Sequence, residues 1–322
     1  MEFIRVEDCC EILDSQRKPV TESERVPGMY PYYGANGIQG TINQYIFDDK
    51  LVLVAEDGGH FGSKIKPIAY LVNGKCWVNN HAHVLRAKKG FLAEYICYSL
   101  MFYKIEGYIN GATRQKLTQA ALRKLIIPKR TVEYQKAIVD RLELVKCIIE
   151  KKQNIINELD LLIKSRFVEM FGDIRERGRF KARKWKDVLD IFNGKDYKAV
   201  QVDKGGYPVY GSGGIIARAN DYICPAGTII IGRKGSINNP ILVNEKFWNV
   251  DTAFGIVPKE IINISYLYYF CKHYNFNYLN KATTLPSLTK RDLLEIEINI
   301  PDLEEQVKFS GYVNQINKLK FA

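Results

Sequence analysis

The residues that could do chemistry are few, and their spacing fits binding better than catalysis. Gly232-Arg233-Lys234-Gly235-Ser236 looks like a phosphate-gripping loop, but its spacing departs from the Gly-x4-Gly-Lys-Ser/Thr pattern that such a loop needs. An amino-methyltransferase needs an Asn/Asp-Pro-Pro-aromatic segment to hold its target amine, and the chain has no Pro-Pro pair. His81 and His83, separated by one residue, would share one face of a strand, and with Cys76 nearby they could bind a metal. No Ser/His/Asp or Cys/His arrangement stands out by spacing.

What remains suits the binding of an anion. Two glycine-rich loops with polar or basic residues, 34–40 and 56–66, are matched by a second pair, 211–218 and 232–239. Glycines let a backbone approach a phosphate closely, while Arg or Lys adds charge or reads guanine edges. A third pair, Thr113-Arg114-Gln115-Lys116 and Thr283-Thr284, precedes Leu-Thr and a short helical segment, where free backbone N–H groups can meet phosphate. The candidate contacts are Asn36, Lys64, Lys66, Arg114, Lys116, Ser212, Arg218, Arg233, Lys234 and Thr284. Arg233 and Lys234 are the sharpest. Their counterparts are Glu56 and Asp57, carboxylates that repel phosphate but accept a hydrogen bond from a cytosine amine, so the two loop sets would read different sequences. The alternative is that these loops are ordinary solvated turns.

The elements that must position these loops come twice. Tyr30-Pro31-Tyr32-Tyr33-Gly34 returns as Tyr207-Pro208-Val209-Tyr210-Gly211, and at the same offset of 177 Leu51-Val52-Leu53-Val54 matches Thr228-Ile229-Ile230-Ile231. At an offset near 171, Trp77 pairs with Trp248, Tyr95 with Tyr266, Leu117-Thr118 with Leu288-Thr289, Ile127-Pro128 with Ile300-Pro301, and Gln135 with Gln306. So long a period indicates a duplicated domain and not a solenoid. The β-branched runs 51–54 and 228–231 predict strands, and 91–105 and 262–274 predict helices packed on them. Each repeat then ends in Ile-Pro and a helix, with Thr131 as cap of the first and Asp302 and Glu305 spaced as a capping box for the second. The equivalents of His81 and His83 are Thr252 and Phe254, so the architecture requires no metal; packing or a DNA-facing role suits the two histidines better.

The helix after the first repeat extends to about Phe171, with Gly172 as its stop. Ile138, Leu142, Val145, Ile149, Ile156, Leu159, Ile163 and Met170 form a heptad seam, interrupted by Lys152 and Arg166. Ile148, Ile155 and Leu162 add a second row, which makes the apolar face wider than a two-stranded seam requires. The C-terminal stripe Phe309, Tyr312, Val313, Ile316 and Leu319 can cover part of it, antiparallel, over about half its length. The rest either packs on the repeats or docks a partner protein through Ile138, Leu142, Val145, Ile148, Ile149, Ile155, Ile156, Leu159, Leu162 and Ile163.

Composition narrows the classes. The 322 residues, 46% apolar and 26% charged, suit a folded chain of two or three domains and exclude disorder as its main state. No apolar run approaches a membrane span, the N-terminus lacks a signal-peptide pattern, and seven scattered cysteines without Cys-x-x-Cys suit a cytoplasmic protein. The net charge of +11 favours a polyanionic partner, nucleic acid being the commonest. Its densest stretch, 175–184, holds six basic residues against one Glu, and also reads as a solvated linker.

Together, 116–135 and 287–306, each running Leu-Thr…Ile-Pro…Gln into a helix, with helix 133–171 between the repeats, resemble the specificity subunit of type I restriction–modification enzymes. The resemblance covers nearly the whole chain. It implies an α+β protein: two duplicated mixed α/β target-recognition domains, 1–128 and 185–301, a central spacer helix 129–172, a basic linker 173–184, and a short C-terminal helix 302–322 antiparallel to the spacer. Each domain would read half of a bipartite site in double-stranded DNA. The helices would dock modification (methyltransferase) subunits, which carry S-adenosylmethionine and methylate adenine, and restriction subunits would join afterwards. The chain itself would hold no catalytic residue, cofactor or metal. About 33 residues of seam at about 1.5 Å each span roughly 50 Å, on the order of 15 base pairs; removing one heptad should change the gap between half-sites and leave the half-sites unchanged. One departure from the family pattern is the C-terminal helix, usually a match in length for the central one. A stand-alone nucleic-acid-binding protein and a coiled-coil scaffold are the other classes that the residues allow.

Overall fold

The computed structural model describes residues 2–111, 115–174, 180–281 and 285–320. The run 51–54 lies in strand Phe47–Ala55 with all four side chains fully buried. Successive side chains leave opposite faces of a strand, so an unbroken apolar run must be covered on both faces. Val52 and Val54 join Ile96 and Leu100 of helix Ala93–Met101, while Leu51 and Leu53 join Phe47, Val72 and Val84. Strand Thr228–Gly232 divides in the same way. Ile229 and Ile231 meet Tyr266 and Leu267 of helix Ile264–His273, and Ile230 meets Val243 and Phe247.

Contacts divide the chain into two units, residues 1–150 and 151–322. The first carries a six-stranded sheet in the order Cys10–Ile12, Ala82–Ala87, Phe47–Ala55, Ala69–Val78, Tyr30–Gly34, Gly37–Ile42. The long strand Ala69–Val78 runs antiparallel to Phe47–Ala55 and, at its end, parallel to Tyr30–Gly34. In the second unit its counterpart is broken into Ile241–Val243 and Trp248–Asn249, and the same order separates into two four-stranded sheets. The register is kept: Tyr32 faces Trp77 as Val209 faces Trp248, and each hairpin shifts register one residue later. Trp77 Nε1 donates to Lys18 O at 2.7 Å and Trp248 Nε1 to Lys195 O at 3.0 Å.

The basic segment differs from a linker where it is described. Lys181–Lys184 is a strand antiparallel to Glu297–Ile300, and Lys184 and Lys186 both pair with Glu295, at 2.6 and 3.2 Å. Ladder bonds and that shared carboxylate hold the segment to the second unit, as Phe3–Arg5 is held to Ile126–Pro128 in the first. Residues 175–179 lie outside the described ones.

The central helix is continuous over Val132–Phe171, 40 residues. Thr131 Oγ1 accepts from Tyr134 N at 3.4 Å at its start, and Gly172, at φ +80°, follows its end. Helix Leu303–Lys320 buries Phe309, Val313 and Ile316 in the second unit, with Phe309 5.5 Å from both Phe167 and Phe171. Further along, Tyr312 lies under the Arg166 guanidinium and Lys320 reaches Asp160 at 2.6 Å. One helix advances as the other recedes, so the pair is antiparallel. No helix among the described residues is long and apolar enough to cross a membrane.

Candidate nucleic-acid interface

Three loops of each unit meet at one end of its sheet. In the first unit, the turn between Tyr30–Gly34 and Gly37–Ile42 is tied to the next loop by Asn36, whose Nδ2 donates to Gly58 O at 2.9 Å. That loop holds the third, since Leu117 N donates to Glu56 O at 2.7 Å and Asp57 forms a bridge with Lys116. The second unit repeats the pattern: Leu288 N donates to Arg233 O at 2.8 Å and Lys234 bridges Ser287. Glycine is needed at both turns, Gly37 and Gly214 having φ of +106° and +124°. At Gly232 a Cβ would lie 2.4 Å from Ser236 O and 3.1 Å from the Ser212 Cβ, so these loops approach at backbone distance. Thr118 and Thr289 then cap the helices that follow, accepting from Ala121 N and Asp292 N.

The charges beneath the loops differ between the units. In the first, Glu56 takes Arg17 at 2.6 Å and Lys116 at 3.0 Å, and His83 lies 3.6 Å away. Asp14 takes His83 Nδ1 at 2.6 Å, Gln119 Nε2 at 2.9 Å and Val84 N at 2.9 Å. Burial raises the pKa of both carboxyls, but hydrogen bonds outweigh it: His83 holds Asp14, and Arg17 and Lys116 hold Glu56, below the ordinary carboxylate range. Asp14, Glu56 and His83 could converge on a metal ion by distance. The Arg17 guanidinium, 2.6 Å from Glu56 and 3.6 Å from Asp14, is the cation that these acids face. In the second unit Arg233 and Phe254 take the places of Glu56 and His83, with the guanidinium 5.9 Å from the ring centroid.

The sequence candidates separate on this frame. Asn36 and Lys116 come together in the first unit, and Ser212, Arg233 and Lys234 in the second, all exposed except the half-buried Ser212. Lys64 lines a different depression, of about 370 Å³, with Met101, Phe102 and Glu106, and Lys66 follows it in a turn held by the Ser63 hydroxyl. Arg218 lies down the hairpin from the turn, its Nη1 on Gly206 O at 3.1 Å. Arg114 and Thr284 lie outside the described residues. His81 and His83 part company. His83 is fully buried, whereas the part-exposed His81 binds Asp57 through Nδ1 at 2.6 Å. Cys76 belongs to the core around Phe47 and Val72. The network of Asp14, Arg17, Glu56 and His83 had no signal in local spacing, because Glu56 and His83 lie far along the chain from Asp14 and Arg17.

Along the central helix, the proposed docking residues Leu142, Val145, Ile148, Ile149, Ile155 and Leu162 are exposed, and Ile156 and Leu159 are half-buried. Ile163 is corrected: it is fully buried in the core of the second unit, so its own unit occupies it and no partner can reach it. Ile138 leans on the first unit's core beside the buried Val139.

The family described as type I restriction modification DNA specificity domain matches residues 1–161 and 178–320. A Haemophilus influenzae protein named as a type I restriction enzyme specificity subunit is 25% identical over 99% of this chain and 88% of its own length. A type I specificity subunit of Mycoplasma pneumoniae is 27% identical over 44% of this chain and 49% of its own length. Among solved structures, the S subunit of a type I restriction-modification system from M. genitalium shares the fold with a TM-score of 0.63 at 16% identity, covering 99% of this chain and 90% of that one. A chain from a structure concerned with complex assembly of the type I R-M system reaches 0.54 at 18% identity, with the same coverage.

Proposed function

The chain belongs to the family of type I restriction–modification specificity subunits, its two repeats both matching the family, and from that premise we propose that it reads a bipartite site in double-stranded DNA and positions modification and restriction subunits on it. One observation carries the reading: both units hold the second loop to the third by the same backbone bonds, yet place opposite charge at the same positions, Glu56 and Asp57 against Arg233 and Lys234. A shared frame with divergent tips suits two heads that read different half-sites. Arg233 can donate to guanine O6 and N7, whereas Glu56, buried beneath the loops, holds Arg17 and Lys116 in place. Asn36, Lys116, Ser212 and Lys234 would contact the same duplex, and Lys64, Lys66 and Arg218 would reach its flanking phosphates.

The central helix would serve as spacer and docking surface, through Leu142, Val145, Ile148, Ile149, Ile155 and Leu162. The methyl-transfer chemistry, with S-adenosylmethionine, would belong to the modification subunits, and DNA cleavage to the restriction subunit. The experiment is co-expression with the neighbouring modification gene and mapping of methylated adenines. The expected result is one split motif with two unlike halves. Methylation without a motif, or no co-purification with the modification subunit, would overturn the reading.

A further inference from the structure

His81, paired in the sequence with His83 by its one-residue spacing, belongs to the converging loops of the first unit, whereas His83 lies beneath them. Its backbone N–H donates to Asn79 Oδ1 at 2.8 Å, and its carbonyl accepts from Glu56 N at 2.9 Å. Its ring is 38% exposed, and Nδ1 is fixed on the Asp57 carboxylate at 2.6 Å. A carboxylate can only accept, so Nδ1 carries a proton, and in the neutral form of the ring Nε2 keeps a lone pair. His81 also lines a depression of about 290 Å³ together with Val20, Arg25, Tyr32, Gln39 and Asn79. In the second unit Thr252 stands in this place, its carbonyl accepting from Arg233 N at 2.8 Å, and Lys234 replaces Asp57.

We infer that Asp57 and His81 form a base-reading pair specific to the first unit: Nε2 of His81 accepts a hydrogen bond from an exocyclic amine, adenine N6 or cytosine N4, and Asp57 is the positioning residue that fixes the tautomer. The inference rests on the DNA-reading function proposed above. Adenine and cytosine are the bases that present an amine donor in the major groove, whereas guanine presents acceptors there, and thymine an acceptor and a methyl group. A neutral acceptor is repelled by phosphate oxygen, so the contact belongs to a base edge. The second unit, with a threonine and a lysine at these places, lacks it.

The test uses the full chain co-expressed with its modification subunits, selection from a randomised duplex pool, and the variants His81→Ala and Asp57→Asn. Wild type should prefer adenine or cytosine at one position of one half-site. His81→Ala should relax that preference by about tenfold and leave the other half-site unchanged. Asp57→Asn should relax the same position more weakly. The slope of log affinity against log salt should stay the same in both, because a neutral hydrogen bond releases no counterion, and the melting temperatures should stay with wild type. Unchanged base preference in His81→Ala, uniform weakening on all duplexes, or a shallower salt slope would overturn the pair. A wild-type complex without any sequence preference would instead overturn the DNA-reading function beneath it.

Discussion

Gln135 and Gln306 make the same three hydrogen bonds, each in its own unit. Gln135 Oε1 accepts from Leu92 N at 2.8 Å, and its Nε2 donates to Gly90 O and Arg130 O, both at 2.9 Å. Gln306 Oε1 accepts from Asn263 N at 2.7 Å, and its Nε2 donates to Ile261 O at 3.1 Å and Pro301 O at 2.8 Å. All four pairs of positions are related by the same offset of 171, and both side chains are fully buried. Each glutamine ties the first turn of a long helix to the loop that opens helix Ala93–Met101 or Ile264–His273. Replacing either by Ala removes three hydrogen bonds between a buried side chain and partly exposed backbone groups, at about 0.5–1.5 kcal/mol for each bond. We predict that Gln135→Ala and Gln306→Ala each destabilise their own unit by about 1.5–4.5 kcal/mol, read by urea unfolding with peptide-level hydrogen exchange to assign the unit. Melting like wild type would show that the three bonds hold little.

The acid response of the two units should differ. Asp14 and Glu56 titrate below their ordinary range in the folded first unit, hydrogen bonds outweighing burial. A folded pKa below the unfolded one stabilises above the unfolded pKa, and that contribution is lost as pH falls through the folded value. Below about pH 4, the ordinary carboxylate range, the first unit should therefore lose protection, ahead of the second, where Arg233 and Phe254 stand at the places of Glu56 and His83. Glu56→Gln should lower stability at neutral pH and flatten the acid slope. An unaltered slope would contradict this.

Much of the fold was legible because duplication writes each element twice. Strands 51–54 and 228–231, the Trp77 and Trp248 pair, and Leu-Thr before each capped helix could be matched without coordinates. The central helix was legible in extent and less so in its buried face. The heptad seam assumes one partner along the whole helix, but Val139 turns into the first unit and Phe167 and Phe171 into the second, off the seam, because each end packs on its own core. The charged floor was hidden for another reason. Arg17, Glu56, His83 and Lys116 meet only when four separate segments fold together, and no local pattern records such a meeting.

The exposed stretch of the central helix separates docking from folding. Ile149 is 63% exposed and Ile163 fully buried. Ile149→Gln should change unfolding by less than about 0.5 kcal/mol yet reduce co-purification of a modification subunit. Ile163→Ala should cost about 2–5 kcal/mol by opening a cavity in the core of the second unit. If Ile149→Gln, together with Ile148→Gln and Ile155→Gln, leaves the complex intact at physiological salt, this face docks nothing.

Arg233 and Lys234 are adjacent and exposed, but they should fail differently. Arg233 is steadied by the Phe254 ring and by the carbonyl of Asp251, 3.4 Å from Nη1, and a steadied guanidinium suits bidentate reading of guanine. Arg233→Ala should therefore cost about 1–3 kcal/mol at one base position of the second half-site and relax specificity there. Lys234 is a point charge beside the loop backbone, and Lys234→Ala should weaken all sequences about equally and reduce the salt slope by about 1. Competition binding on single-base variants at two salt concentrations separates the two behaviours. If Arg233→Ala lowers affinity uniformly, its role is phosphate contact, and the guanine-reading assignment fails.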